Sequence, residues 1–154
     1  MTFYYRHKAT VGSSGKEPGQ FSFSGYSRAI IAVDATYIYV ADGGNNRIQK
    51  FNNSAPYGFV STFGTYGNLS RQFSQLCGVV VDATYLYTLE TGNKRIQKFN
   101  KTTDAYIGEL TFETQDFFSG LTADATYLYA LKTFQDQTSG YFYSTVLRVT
   151  KGLS

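Results

Sequence analysis

Three copies of Asp-Ala-Thr-Tyr, beginning at Asp34, Asp82 and Asp124, punctuate this chain, and each is followed by an aliphatic residue and a second tyrosine. Thirteen residues after the first two comes Arg-Ile-Gln-Lys-Phe-Asn, at Arg47 and again at Arg95. A degenerate third copy, Val-Leu-Arg-Val-Thr-Lys, is aligned from Val146, after an insertion spanning Phe134 to Phe142. A period of about 45 residues means that one supersecondary unit recurs and buries its apolar surface against copies of itself.

Each unit reads as short strands separated by turn residues. In the first, Ala29 to Val33, Tyr37 to Ala41, Arg47 to Phe51 and Tyr57 to Phe63 are strands, and Asp42 to Asn46 (Asp-Gly-Gly-Asn-Asn) is a turn. The second has Gly78 to Val81, Tyr85 to Leu89, Lys94 to Phe99 and Ala105 to Phe112. The third has Gly120 to Ala123, Tyr127 to Leu131 and Ser144 to Val149, with no fourth strand. Gly12, Gly15, Gln20 and Phe21 repeat the spacing of Gly64, Gly67, Gln72 and Phe73, which makes Phe3 to Val11 an orphan fourth strand. The first two strands of a unit are apolar on both faces, as in sheets covered on both sides. With 42% hydrophobic residues, 14 Tyr and 13 Phe, the chain has a core to build and favours strands. The expected fold is all-β: propeller blades of four antiparallel strands, three per chain within one domain over 1–154. The expected segments are an outer strand over 2–12, blades over 20–64 and 73–113, and a third blade over 117–150 that lacks its outer strand.

These residues resemble a known family. Gln20-Phe21, Val33-Asp34, Tyr39-Val40-Ala41-Asp42, Asn46 to Phe51 and Phe63-Gly64 are similar to the NHL repeat. The second unit follows with Glu90 for Asp42, and in the third Lys132 and Val146 replace the acid and the arginine. The resemblance implies a propeller, usually six-bladed, that serves mainly as a binding platform, sometimes as a lyase- or lactonase-like enzyme, and in some members binds single-stranded RNA.

Chemistry is sparse. Asp42 with Arg47, and Glu90 with Arg95, flank the turn between second and third strands and read as structural braces. His7 is the one histidine and Cys77 the one cysteine, which leaves little to build a zinc site or an activated nucleophile. No metal or other cofactor is expected. Gly12 to Lys16 lacks the first glycine and the Ser/Thr of a phosphate-binding loop. The basic stretch Lys94, Arg95, Lys98 and Lys101 alternates with apolar residues, and a net charge of +3 is mild, so a nucleic-acid partner is not favoured. No apolar run reaches membrane-spanning length and the first residues lack a signal-peptide core, which leads to the expectation of a cytoplasmic protein or a component of a virion or surface particle.

Three blades cannot close a ring. The expectation is therefore a non-catalytic structural or interaction scaffold that pairs with itself as a homodimer, giving six blades, and that binds a further protein. Closure would add the strand bearing Phe3, Tyr5, His7 and Val11 to the edge formed by Ser144, Val146, Leu147 and Val149 of the second copy. The inserted loop, with Gln135, Asp136, Gln137, Tyr141 and Phe142, is the expected contact with another protein.

Overall fold

The computed structural model describes residues 10–22, 30–112, 117–136 and 138–152, and statements of absence below refer to these. The side chain of Gln135 also lies outside the described part, as do Phe3, Tyr5, His7 and Gln137.

Each Asp-Ala-Thr-Tyr-x-Tyr string makes the same turn. Oδ1 of Asp34 accepts from the N–H groups of Thr36 and Tyr37, both at 2.8 Å. Asp82 does so with Thr84 and Tyr85, and Asp124 with Thr126 and Tyr127. The second oxygen accepts from the hydroxyl of the second tyrosine: Tyr39 at 3.1 Å, Tyr87 at 3.0 Å and Tyr129 at 2.6 Å. The carboxylate thus satisfies turn amides and pins the next strand.

The strands follow in a repeating order. Strands β1 (Ser13–Ser14) and β2 (Gln20–Phe21) pair in parallel and precede an antiparallel sheet of β3 (Ile30–Val33), β4 (Tyr37–Asp42), β5 (Arg47–Asn52) and β6 (Phe59–Phe63). The pattern recurs with β7 (Thr65–Tyr66) beside β8 (Gln72–Phe73), then β9 (Leu76–Val81), β10 (Tyr85–Glu90), β11 (Arg95–Asn100) and β12 (Tyr106–Thr111). Three strands, β13 (Phe117–Ala123), β14 (Tyr127–Gln135) and β15 (Phe142–Thr150), complete the described structure, and β15 is a free edge. These sheets are the blades of a β-propeller. Their innermost strands β3, β9 and β13 lie side by side.

The sheets pack face to face. Tyr39, Ile48, Phe63, Phe73, Val79, Leu86 and Phe99 fill the first junction, where Phe99 lies 5.0 Å from Phe63 and 6.1 Å from Phe73 between ring centres. Tyr87, Leu89, Ile96, Phe118, Leu128 and Ala130 fill the second. Gly64 lets the chain cross the Phe73 ring: at φ +105° a Cβ there would overlap it. Gly12, at φ +81°, stands in the same relation to Phe21.

The third unit departs from its expected form in two ways. Leu131 faces Val146 just as Leu89 faces Ile96, so Val146 holds the isoleucine place and Thr145 the arginine place. The sequence alignment of this copy is therefore one residue out, because nothing in the degenerate string fixes its register. Moreover, the insertion is not loop throughout. It lengthens both strands into an arm, with Thr133, Phe134 and Gln135 paired to Ser144, Tyr143 and Phe142.

Candidate functional site

The paired acids and arginines lie at the turns that join the second and third strands. Asp42 is fully buried, and its Oδ2 accepts from Arg47 Nε and Asn45 Nδ2 at 2.8 Å and from Gln49 Nε2 at 3.1 Å. Its Oδ1 accepts from the backbone N–H of Ser22 at 2.8 Å. Glu90 repeats this with Arg95, Gln97, Asn93 and the N–H of Ser74. The Arg95 guanidinium also donates to the carbonyls of Asn68, Leu69 and Gln72 and to Glu109. Each bracket ties the incoming connection to the sheet, and its acid and arginine are engaged within the fold.

In the third sheet, Lys132, Thr145 and Leu147 occupy the places of Glu90, Arg95 and Gln97. The connection leading into that sheet is also shorter: Phe63 to Gly78 spans fifteen residues, whereas Leu110 to Gly120 spans ten. A cleft of about 600 Å³ opens at this place, and among the described residues Gln75, Cys77, Thr91, Phe118, Thr133 and Phe142 contribute to its lining. The Cys77 sulfur lies 3.0 Å from Thr91 Oγ1 and 3.4 Å from the Phe118 carbonyl. Burial pushes its pKa up despite the Thr91 hydrogen bonds, so the group stays a neutral thiol.

The arm forms one wall of this cleft. Phe134 and Tyr143 stack with ring centres 5.8 Å apart, and Thr133 meets Ser144 at 3.1 Å. Asp136 caps the tip through the N–H groups of Thr138 and Ser139. Tyr141 and Phe142 are 70% and 67% exposed. Of the expected closure residues, Val146 lies on the free face, while Leu147 and Val149 pack toward the second sheet; Val11 is half-buried.

What sequence reasoning misses is a ladder of lysines between sheets. Lys101 Nζ donates to Asp34 Oδ2 at 2.7 Å, and Lys151 Nζ to Asp82 Oδ2 at 3.1 Å. In the reverse direction Lys50 Nζ donates to the Lys101 carbonyl and to Asp104, and Lys98 Nζ to the Lys151 carbonyl. The apparent basic patch is thus spent on bracing: Arg95 and Lys98 are buried and Lys101 is ion-paired. The signal was the lysine that directly follows the repeat string at Lys101 and at Lys151.

The ladder has a pH signature. Burial pushes the Asp34 and Asp82 carboxyls up, but the lysine and backbone hydrogen bonds outweigh it and hold both at about 2. An unfolded aspartate titrates near ~3.9. The stability these groups contribute is present above about pH 4 and is lost as pH falls through about 2. The urea midpoint should therefore drop between those values, and the paired substitution D34N/D82N should flatten that drop. An equal drop in the variant would remove the two aspartates as its cause.

Comparison with known proteins points to the fold alone. No protein-family model matches the chain, and no curated protein matches it in sequence. Among solved structures, a protein of Bacteroides fragilis NCTC 9343 described as exported is 17% identical with a TM-score of 0.61, covering 88% of this chain and 38% of that one. A luciferin-regenerating enzyme is 14% identical with a TM-score of 0.53, covering 78% of this chain and 43% of that one. The β-propeller domain of Cps50 (Swd1) from Myceliophteria thermophila is 10% identical with a TM-score of 0.50, covering 79% and 38%. The chain therefore spans about two-fifths of the length of these proteins.

Proposed function

We propose that this chain is a non-catalytic β-propeller scaffold, of the NHL-like kind, in which a second copy supplies three further sheets and completes a six-bladed ring. One observation carries the reading. Leu89 and Ile96 are fully buried at a sheet junction, as are Ala41 and Ile48, yet the residues in the same places of the third sheet, Leu131 and Val146, are 40% and 61% exposed. On the opposite end, Ile31 is 66% exposed where its counterpart Val79 is 1% exposed. Each end thus displays the half of a junction that the other end would cover. The unpaired edge of β15 would accept the segment Phe3 to Val11, which the sequence reads as an outer strand and most of which lies outside the described residues, by strand addition across a two-fold axis. Two such junctions should bury more than ~2,000 Å², the range of obligate dimers.

The non-catalytic reading is supported by how the reactive groups are engaged: Asp42 and Glu90 in brackets, Cys77 as a neutral thiol, Asp34 and Asp82 in ion pairs. The aromatic arm is the surface for a further protein, consistent with a virion or surface particle in which the ring is one part. Light scattering should give a mass of twice 17.2 kDa for the full chain. A monodisperse monomer would sink the ring.

The arm carries its own expectation. Replacing 134–143 by an Asn-Gly turn should preserve the melting temperature within a few degrees and the dimer mass, since the arm lies beyond the packed core. It should also abolish any association beyond the dimer seen by sedimentation. If larger assemblies persist unchanged, the arm is not their contact.

A further inference from the structure

The geometry points to a specific latch at the closing junction, in which Arg148 and Asp124 of one copy engage Asn53 of the second; the inference rests on the ring reading and adds to it the residues that recognise the partner. Both internal junctions use one device. The first sheet of each pair supplies a turn aspartate and a lysine on its third strand, and the next sheet supplies the residue that follows its own third strand. At the first junction these are Asp34, Lys50 and Lys101, and at the second Asp82, Lys98 and Lys151. That last residue also clips its own turn: Lys101 Nζ to the Asp82 carbonyl, Lys151 Nζ to the Asp124 carbonyl.

The third sheet carries the first half of this device with no described sheet beyond it. Arg148 faces Tyr129 across the strands just as Lys98 faces Tyr87 and Lys50 faces Tyr39. Its guanidinium lies 4.6 Å from the Tyr127 ring centre, as the Lys98 ammonium lies 4.0 Å from that of Tyr85. Asp124 is held in its turn by Tyr129 and two backbone N–H groups, so its carboxylate is already oriented. The half-latch is preformed.

The first sheet carries the other half in altered form. Asn53 takes the place of Lys101: its N–H donates to the Thr36 carbonyl as that of Lys101 does to Thr84, and its side chain clips the Asp34 carbonyl. Its own carbonyl is thereby presented where a third-strand cation of a preceding sheet would meet it. Asn53 has no charge to offer Asp124, but the opposite half carries arginine instead of lysine. A guanidinium has five donors in a planar fork and can serve the Asn53 carbonyl and the Asp124 carboxylate together, a task that two lysines divide at each internal junction. The two departures from the lysine pattern compensate each other, which favours a second copy of this chain as the occupant over an unrelated sheet.

Subunit exchange between two fluorescently labelled pools of full-length chain, read by energy transfer, tests this. R148E should speed exchange at least about tenfold, because it removes the donor and turns a carboxylate toward the Asn53 carbonyl of the second copy, while N53K/R148K, which rebuilds the internal lysine pattern, should exchange within about twofold of the parent. Far-UV circular dichroism should be unchanged in both, since Arg148 and Asn53 lie outside the internal junctions. A dimer whose exchange is the same in R148E as in the parent overturns the latch and leaves the ring standing. A parent chain that is monomeric overturns the ring and the latch with it.

Discussion

Replacing Arg95 by alanine should destabilise the fold by on the order of 3–5 kcal/mol, the usual consequence of stranding a buried charge. Glu90 is fully buried and Arg95 is 4% exposed, and the pair lies at 2.9 Å. Without the guanidinium, the carboxylate would keep only the neutral donors Gln97, Asn93 and the Ser74 N–H. The carbonyls of Asn68, Leu69 and Gln72 would also lose the group that holds the connection against the sheet. Urea denaturation measures the effect, and the decisive comparison is with R95A/E90Q. Removing the orphaned charge should recover part of the loss. If the double variant is as unstable as R95A or worse, the damage comes from the connection and not from the carboxylate.

The second large effect concerns a residue that looks like ordinary surface. Val146 is 61% exposed in the single chain, and an exposed Val-to-Glu change is normally worth less than about 0.5 kcal/mol. In a closed ring the same side chain would be covered by the first sheet of the second copy, where an unpaired carboxylate is costly. V146E should therefore weaken dimerisation by at least about a hundredfold, roughly 2.7 kcal/mol, with the chain appearing as monomer or as aggregate. V146T, polar but uncharged and close in shape, should weaken it far less. A V146E protein that remains fully dimeric at nanomolar concentration would show that this face is not the closing one.

Short-range chemistry was plain in the sequence and long-range chemistry was not. The Asp-Ala-Thr-Tyr turns, the strand order and the two-glycine approach to Phe21 and Phe73 depend on residues within about a dozen positions of one another, so repetition alone exposes them. The register of the third unit differs by one place from the sequence alignment because Val-Leu-Arg-Val-Thr-Lys carries no turn residue to fix it. Phe134 to Phe142 holds the polar residues of a turn and so reads as a loop, although its two ends extend the flanking strands. The lysine ladder was hidden for a different reason. Its partners are more than fifty residues apart, so a buried bridging lysine and a solvated one look alike until the sheets are packed. The cleft beside Cys77 follows from a shortened connection, whose significance depends on the bracket that the longer connection carries elsewhere.

The face-to-face stacking of the sheets also sets how the molecule comes apart. Each sheet touches only its neighbours, so stability behaves as a nearest-neighbour chain of coupled units. Three sheets in a row have two couplings and two fraying ends, whereas six in a ring have six couplings and no end. An isolated chain should therefore show graded amide exchange, slowest in the middle sheet around Leu86–Leu89 and Ile96–Phe99, which are buried from both sides, and fastest in the outer two. Closure would erase that gradient, because every sheet would then be an interior one. Cooperativity in this architecture is a property of the circuit, and a copy that completed it would supply the last links.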